Sequence, residues 1–291
     1  MPELPEVETV RRTLEAGLLG RRIASVTRVG WPRTIAAPTA DVFQERVHDR
    51  LVTSLERRGK YIVIRLDHDE SLVVHLRMTG RLTLGASTDE ADAHTHVVFQ
   101  LVDGGQLFFN DTRKFGRIWL LSNADLEALF AHLGPEPLEE AFTRATFHTL
   151  LRHRKGRLKP LLLDQSLVAG LGNIYVDEAL WTARLHPLRT VLSLTDDDVD
   201  RLYDAIRSVL TEAVHRRGTS FSDYRDAWGE SGSNQDFLHV YSRTGAPCTR
   251  CGTPIEKTVV AQRGTHFCPH CQSLAEPFIS TQHESSVDQG R

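Results

Sequence analysis

The chain has 291 residues, is 40% hydrophobic and carries 35 Lys and Arg against 38 Asp and Glu, a formal net charge of -3. That length accommodates two domains, no apolar run approaches membrane-spanning length, and the acidic, Pro-containing start is no signal peptide, so cytoplasm is the expected compartment. The charge balance does not announce a nucleic-acid binder, and any such contact must come from cations gathered on one face.

In chain order, the first stretch is Met1-Pro2-Glu3-Leu4-Pro5-Glu6-Val7-Glu8. Pro5 suits a first helical position, and Glu6 and Glu8 fall in a first turn where the helix macrodipole favours carboxylates. Val7, Val10, Leu14 and Leu18 recur at helical spacing, and Gly20 is a stop signal. Removal of Met1, which its small neighbour permits, would leave the secondary amine of Pro2 beside a positive helix end and next to Glu3. An α-amino group titrates near pH ~8 and a positive helix end lowers that value, so a neutral amine able to form a Schiff base is accessible at physiological pH. The same residues also read as a simple helix lead-in.

The chain then turns β-rich. Residues 23–29, 60–66 and 72–76 carry strand composition, 31–40 form a Pro-punctuated loop, and 97–101 and 106–109 flank an Asp103-Gly104-Gly105 hairpin turn. Lys60 follows Gly59 at a strand entrance, where a turn could aim it into a cleft, although most such lysines are solvated. Met78 precedes a Gly turn and by itself reads as core filler. In Asn110-Asp111-Thr112-Arg113-Lys114-Phe115-Gly116, Phe can unstack bases while Arg hydrogen-bonds an exposed base edge.

Residues 134–140 read as a linker, and the pattern beyond them is helical. Thr143 caps a helix to residue 153, and Arg152, Arg154, Lys155, Arg157 and Lys159 form the densest basic run, either a solvated helix end or a phosphate grip. In Val168-Ala169-Gly170-Leu171-Gly172-Asn173-Ile174-Tyr175 two glycines allow close backbone approach, and Asn173 opens a helix whose free N–H groups attract phosphate. This is a helix-two-turn-helix pattern. Thr195 and Asp198 form a capping box for a helix with a stripe of Val199, Leu202, Ile206, Val209 and Ala213, ended by Gly218. Residues 219–236 are Ser-, Gly- and Asp-rich, a mobile-loop or lid candidate. Cys248-x2-Cys251 and Cys268-x2-Cys271 match a zinc ribbon, one structural metal closed by four thiolates, in a reducing compartment. Arg263 falls in the turn of that hairpin, where its guanidinium could clamp phosphate. The tail from Ser273 is polar, and disorder is expected.

The class predicted is α+β: an N-terminal antiparallel β-sandwich with flanking helices and a C-terminal helical domain with the helix-two-turn-helix and zinc-finger hairpin. The boundaries are 1–133 (catalytic), 134–142 (linker), 143–238 (helical, DNA-binding), 239–272 (zinc finger) and 273–291 (tail).

Six motifs in order, Pro2-Glu3-Leu4-Pro5-Glu6, the Lys60 turn, His75-Leu76-Arg77-Met78-Thr79-Gly80, Arg113-Lys114-Phe115-Gly116, Gly170 to Tyr175 and the four cysteines, resemble the bacterial formamidopyrimidine-DNA glycosylases. The resemblance runs from Pro2 to Gln272. It implies a monomeric glycosylase and abasic-site lyase acting on double-stranded DNA with an oxidised purine or an abasic site. By that likeness Pro2 is the Schiff-base nucleophile, Glu3 the acid that opens the sugar, Lys60 a phosphate-contacting acid, and Arg263 the phosphate clamp. Met78, Arg113 and Phe115 fill the gap left by the extruded base, and His94, Arg154, Lys159 and Asn173 contact DNA. Lys114 departs from the second Arg common in relatives but keeps the charge. The rivals are an endonuclease VIII-type enzyme for oxidised pyrimidines, whose opening lacks Leu4, and a non-catalytic damaged-DNA binder.

Overall fold

The computed structural model describes residues 1–221 and 224–274, so most of the tail lies outside the described residues. Helix α1 (Leu4–Leu18) leads into β1 (Arg22–Val29), β2 (Ile35–Ala37), α2 (Ala40–Val47), β3 (Arg50–Arg58), β4 (Tyr61–Leu66) and β5 (Glu70–His75). Next come β6 (Gly80–Gly85), β7 (Thr95–Leu101), β8 (Gln106–Asp111), β9 (Arg117–Ser122) and α3 (Asn123–Phe130). Helices α4 (Arg144–Arg152), α5 (Leu158–Leu163), α6 (Asn173–Thr182) and α7 (Asp196–His215) form the second half, closed by the hairpin β10 (Glu256–Val260) and β11 (Arg263–Phe267).

The strand order is β2-β9-β5-β4-β3-β1-β7-β8-β6. Strands β1 and β3 pair only through Arg22 with Leu51 and Ile23 with Arg50, so the sheet folds there into two halves. Alternate residues of both halves, such as Ile62, Ile64, Leu72, Val97, Phe99 and Leu107, share one core with Val7, Val10, Leu14 and Leu18 of α1. The period-2 and period-3.6 stripes of the sequence are thus the two sides of one buried interface. A second core holds α4 to α7 together, and Leu4 belongs to it rather than to the first. The opening helix therefore has its first residue in one core and the rest of its stripe in the other. No helix among the described residues is long and apolar enough to cross a membrane.

The structure corrects several details. Helix α1 starts at Leu4, so Pro5 is its second residue; Glu3 is the cap, its N–H donating to Glu6 Oε2 at 2.8 Å. Strands β2, β3, β6 and β9 and helix α2 occupy segments where no element is predicted. In the long helix α7 the inward position is Leu210, with Val209 only half-buried. The 134–140 segment is no loose tether: Glu136, 5% exposed, accepts from Arg57 at 2.6 Å, Arg58 at 2.8 Å and the Gly59 N–H at 2.5 Å.

Candidate active site

Glu3 lies at the junction of the two cores. Its side chain reaches the start of α6, where Oε1 accepts from Ile174 N–H at 3.0 Å and Oε2 from Tyr175 N–H at 3.3 Å. Gly172 makes this approach possible, since a Cβ there would lie 2.3 Å from Glu3 Cδ. Gly170, at φ +87°, passes Leu4 in the same way: a Cβ would sit 2.7 Å from that side chain. The two glycines of the helix-two-turn-helix thus let the turn clasp the chain start. Glu3 is 2% exposed, and burial pushes its carboxyl up to about 7, against the opposing pull of Lys60. Half the population can therefore carry a proton at neutral pH, as a proton donor needs.

Glu6 extends the arrangement. It accepts from Tyr175 Oη and from the Thr219 N–H at 2.7 Å, and Asn234 Nδ2 donates to Thr219 Oγ1 at 3.0 Å. Burial raises its carboxyl too. The first turn of α1, the start of α6 and the stem of the 219–236 segment share this buried carboxylate. Sequence reasoning left Glu6 as a dipole partner; the capping spacing from Glu3 was the signal available.

Lys60 is 7% exposed, not solvated, and its Nζ donates to Leu171 O at 2.7 Å. Gly59, at φ +57°, makes the turn that sends it inward. Burial lowers its ammonium below the ordinary range, helped by Arg263 and opposed by Glu3 and Glu6. His75, unassigned from sequence, lines the same cleft; its Nδ1 accepts from Arg77 N–H at 3.0 Å, and burial with nearby cations holds the ring neutral, down to about 3. The cleft, about 380 Å³, gathers Met1, Glu3, Lys60, Met78, Asn173, Tyr241 and Arg263. An adjoining cavity of about 60 Å³ is lined by Pro2, Met78, Ile174, Thr219, Phe221 and Tyr224.

The loop after β8 is built on Asp111, which is fully buried. It accepts from Thr79 Oγ1 at 2.5 Å and from the Gly116 N–H at 2.6 Å, while Thr79 Oγ1 accepts from the Arg113 N–H at 3.1 Å. That frame projects Phe115, 50% exposed, with the Arg113 guanidinium 5.1 Å from its ring centroid. His94 is exposed beside the loop base, its carbonyl accepting from Asp111 N–H at 2.9 Å.

The hairpin meets α6 at Gly264. Its carbonyl accepts from Asn173 Nδ2 at 2.9 Å and from Lys159 Nζ at 3.0 Å. Lys159 is the clearest correction among the expected DNA contacts: it has no exposed surface and pairs with Asp177, so it braces the hairpin instead of reaching phosphate. Arg263 is exposed as the first residue of β11, one place past the turn expected for it. Arg154 is half-buried, donating to Ser166 Oγ at 3.1 Å.

The sulfurs of Cys248, Cys251, Cys268 and Cys271 lie within 4.8 Å of one another. With Zn–S bonds near ~2.3 Å, a tetrahedron has sulfurs roughly 3.8 Å apart, and the pairs at 3.5 and 4.0 Å fit it. Peptide N–H groups of Arg250 and Cys271 point at Cys248 and Cys268 sulfurs at 3.5 and 3.4 Å, as metal-bound thiolates require. All four donors are protein thiolates, so the one zinc they hold is structural.

Three family models match the chain: the formamidopyrimidine-DNA glycosylase N-terminal domain over residues 1–118, its H2TH domain over 133–225, and a zinc finger found in FPG and IleRS over 245–274. A formamidopyrimidine-DNA glycosylase of Herpetosiphon aurantiacus is 50% identical over 94% of this chain and 100% of its own. Among solved structures, a Lactococcus lactis Fpg bound to abasic-site DNA superposes with TM-score 0.88 at 40% identity, covering 93% of this chain and 99% of that one. The wild-type Lactococcus lactis protein with N7-benzyl-Fapy-dG DNA gives the same TM-score and identity over 94% and 100%. A DNA glycosylase of base excision repair is thereby identified: the chain belongs to the formamidopyrimidine-DNA glycosylase family.

Proposed function

We propose that this glycosylase excises oxidised purines, 8-oxoguanine and formamidopyrimidines, through a Schiff base on Pro2 and then cuts the strand by β,δ-elimination. Loss of Met1 frees the Pro2 nitrogen at the wall of the cavity. Its lone pair attacks C1′ of the extruded nucleotide, the C1′–N bond breaks, and the purine leaves with a proton. Glu3 protonates the ring oxygen as the sugar opens, giving the iminium. The iminium acidifies the C2′ hydrogens; loss of one expels the 3′ phosphate, and a second elimination expels the 5′ phosphate. Lys60 and Arg263 carry the cations against which those phosphates leave, and Asn173 presents the α6 start to the backbone. Met78, Arg113 and Phe115 occupy the gap in the stack, with His94 and Arg154 on the flanking backbone. In this reading residues 1–133 carry the chemistry and 143–238 with 239–272 hold the duplex, at the bacterial nucleoid.

One observation carries the proposal: the buried carboxyl of Glu3, the buried Lys60 and the chain start line the wall of one cleft. Borohydride reduction during turnover on an 8-oxoguanine duplex, followed by peptide mapping, tests it. The adduct belongs on the N-terminal proline; an adduct on Lys60, or faster excision of thymine glycol than of 8-oxoguanine, overturns it.

A further inference from the structure

Strand β2 runs parallel to β9, with Ile35 opposite Ile118 and Ala37 opposite Trp119. Parallel pairing sets the residues that precede β2 beside the residues that precede β9. The first set is Trp31-Pro32-Arg33-Thr34, a turn of 3-10 helix; the second is the Arg113 to Gly116 loop. The meeting is specific: Lys114 Nζ lies 4.7 Å from the Trp31 ring centroid, and the Arg33 guanidinium 5.7 Å from the same ring. The backbone on both sides is fixed. Lys114 has φ +61°, Arg117 Nη1 donates to the Lys114 and Gly116 carbonyls at 3.1 and 2.7 Å, and the Gly30 N–H donates to His96 O at 2.8 Å.

Both side-chain cations are exposed, and neither Lys114, Arg33 nor Arg117 forms an ion pair among the described residues. Elsewhere in the sandwich, Arg21, Arg46, Arg57, Arg58 and Arg65 all face carboxylates. In a chain of net charge -3, two cations without ion pairs against one tryptophan ring are a local positive site. None of these residues lines the cleft that receives the extruded nucleotide.

We propose that Trp31, Lys114 and Arg33 form a backbone-binding platform for the undamaged strand, next to the Phe115 and Arg113 wedge. This rests on the proposed reading of that wedge as the element entering the duplex. The ring holds the Lys114 ammonium in one place while leaving its outer side open, so a phosphate binds an ordered cation and displaces a counterion. The ligand is a phosphodiester of duplex DNA opposite the lesion.

The test is binding of the full chain to a duplex with a stable abasic-site analogue, measured against salt. Lys114→Met should lower the slope of log K against log salt by about 0.9, so between 50 and 200 mM salt its affinity falls about 3.5-fold less than that of the unaltered protein. Trp31→Ala should shift the slope the same way, and Trp31→Phe should restore it by keeping a π face. With methylphosphonates replacing the undamaged-strand phosphates opposite the wedge, the Lys114→Met penalty should vanish. An unchanged slope, or a penalty that persists on the neutralised strand, overturns the platform. Borohydride trapping by the unaltered protein reports separately on the catalytic reading, since its failure would leave these binding curves interpretable.

Discussion

Lys159 Nζ lies 2.6 Å from Asp177 Oδ1, and neither side chain has any exposed surface. The other oxygen of Asp177 accepts from the His266 N–H at 2.9 Å, so one carboxylate ties α5, α6 and β11 together behind Arg263. A buried pair of this kind contributes little net stability, but removing one partner leaves an uncompensated charge.

The Asp177→Ala protein should lose about 3–5 kcal/mol of stability, measured by denaturant unfolding, whereas Lys159→Met with Asp177→Leu should recover most of it. Because the lysine braces the hairpin without reaching phosphate, Lys159→Met should weaken lesion-duplex binding with no change in salt slope. A slope lowered by ~0.9 would make it a phosphate contact after all.

Glu3 contributes to the pH dependence, in the same direction as the buried Glu6. The folded value of Glu3, about 7, lies above the ordinary 4.5, so between those values the folded protein holds more protons than the unfolded chain. Stability from this group is full below pH 4.5 and is lost as pH rises to 7, on the order of 3 kcal/mol across the window. Glu3→Gln should flatten the fall in melting temperature between pH 5 and pH 8. Single-turnover excision should also decline above pH 7 as the proton donor empties; a rate still climbing through pH 8.5 would remove Glu3 from that role.

The close approach at Gly172 gives a sharper geometric test. A methyl group there would lie 2.3 Å from Glu3 Cδ, so Gly172→Ala must displace the carboxyl or the turn. A displacement near 1 Å costs about 100-fold in rate. The measurement is single-turnover excision with affinity for an abasic-analogue duplex alongside; a rate loss well beyond the binding loss is expected, and matching losses would place the damage in the grip on DNA.

Much of this site is legible in the sequence because its parts are local. Pro2-Glu3, the Gly59-Lys60 turn and the paired cysteines each declare their chemistry within a few residues. What is not legible depends on partners far along the chain. Lys159 reads as surface in a basic run, and only Asp177 and Gly264, 18 and 105 residues away, make it internal. His75 becomes a neutral cleft residue because Tyr61, Arg77 and Lys60 surround it. Strand β3 escapes notice because Glu56, Arg57 and Arg58 interrupt its apolar alternation. Those same charges are used by Glu8, Arg65 and Glu136 to fasten α1, β4 and the crossover.

The zinc ribbon should fail locally. Cys248 and Cys268 pack with Trp181, Val240 and Ile255 in a small core of their own, apart from the sandwich interior. Asp177 and Glu178 join that unit to α6, the latter accepting from the His239, Val240 and Tyr241 N–H groups at 2.9, 2.9 and 2.8 Å. Cys268→Ser removes one of four thiolates, and with it the metal binding that stabilises so small a module. Metal analysis should find less than one zinc per chain, and affinity for lesion-bearing duplex should drop at least tenfold as Arg263 loses its support, about 1.4 kcal/mol or more. Strand-rich circular dichroism and the main unfolding transition, both dominated by the nine-stranded sheet, should stay near those of the unaltered protein. A zinc-free variant that binds duplex normally would show that Arg263 is held by Lys159 and Asn173 alone.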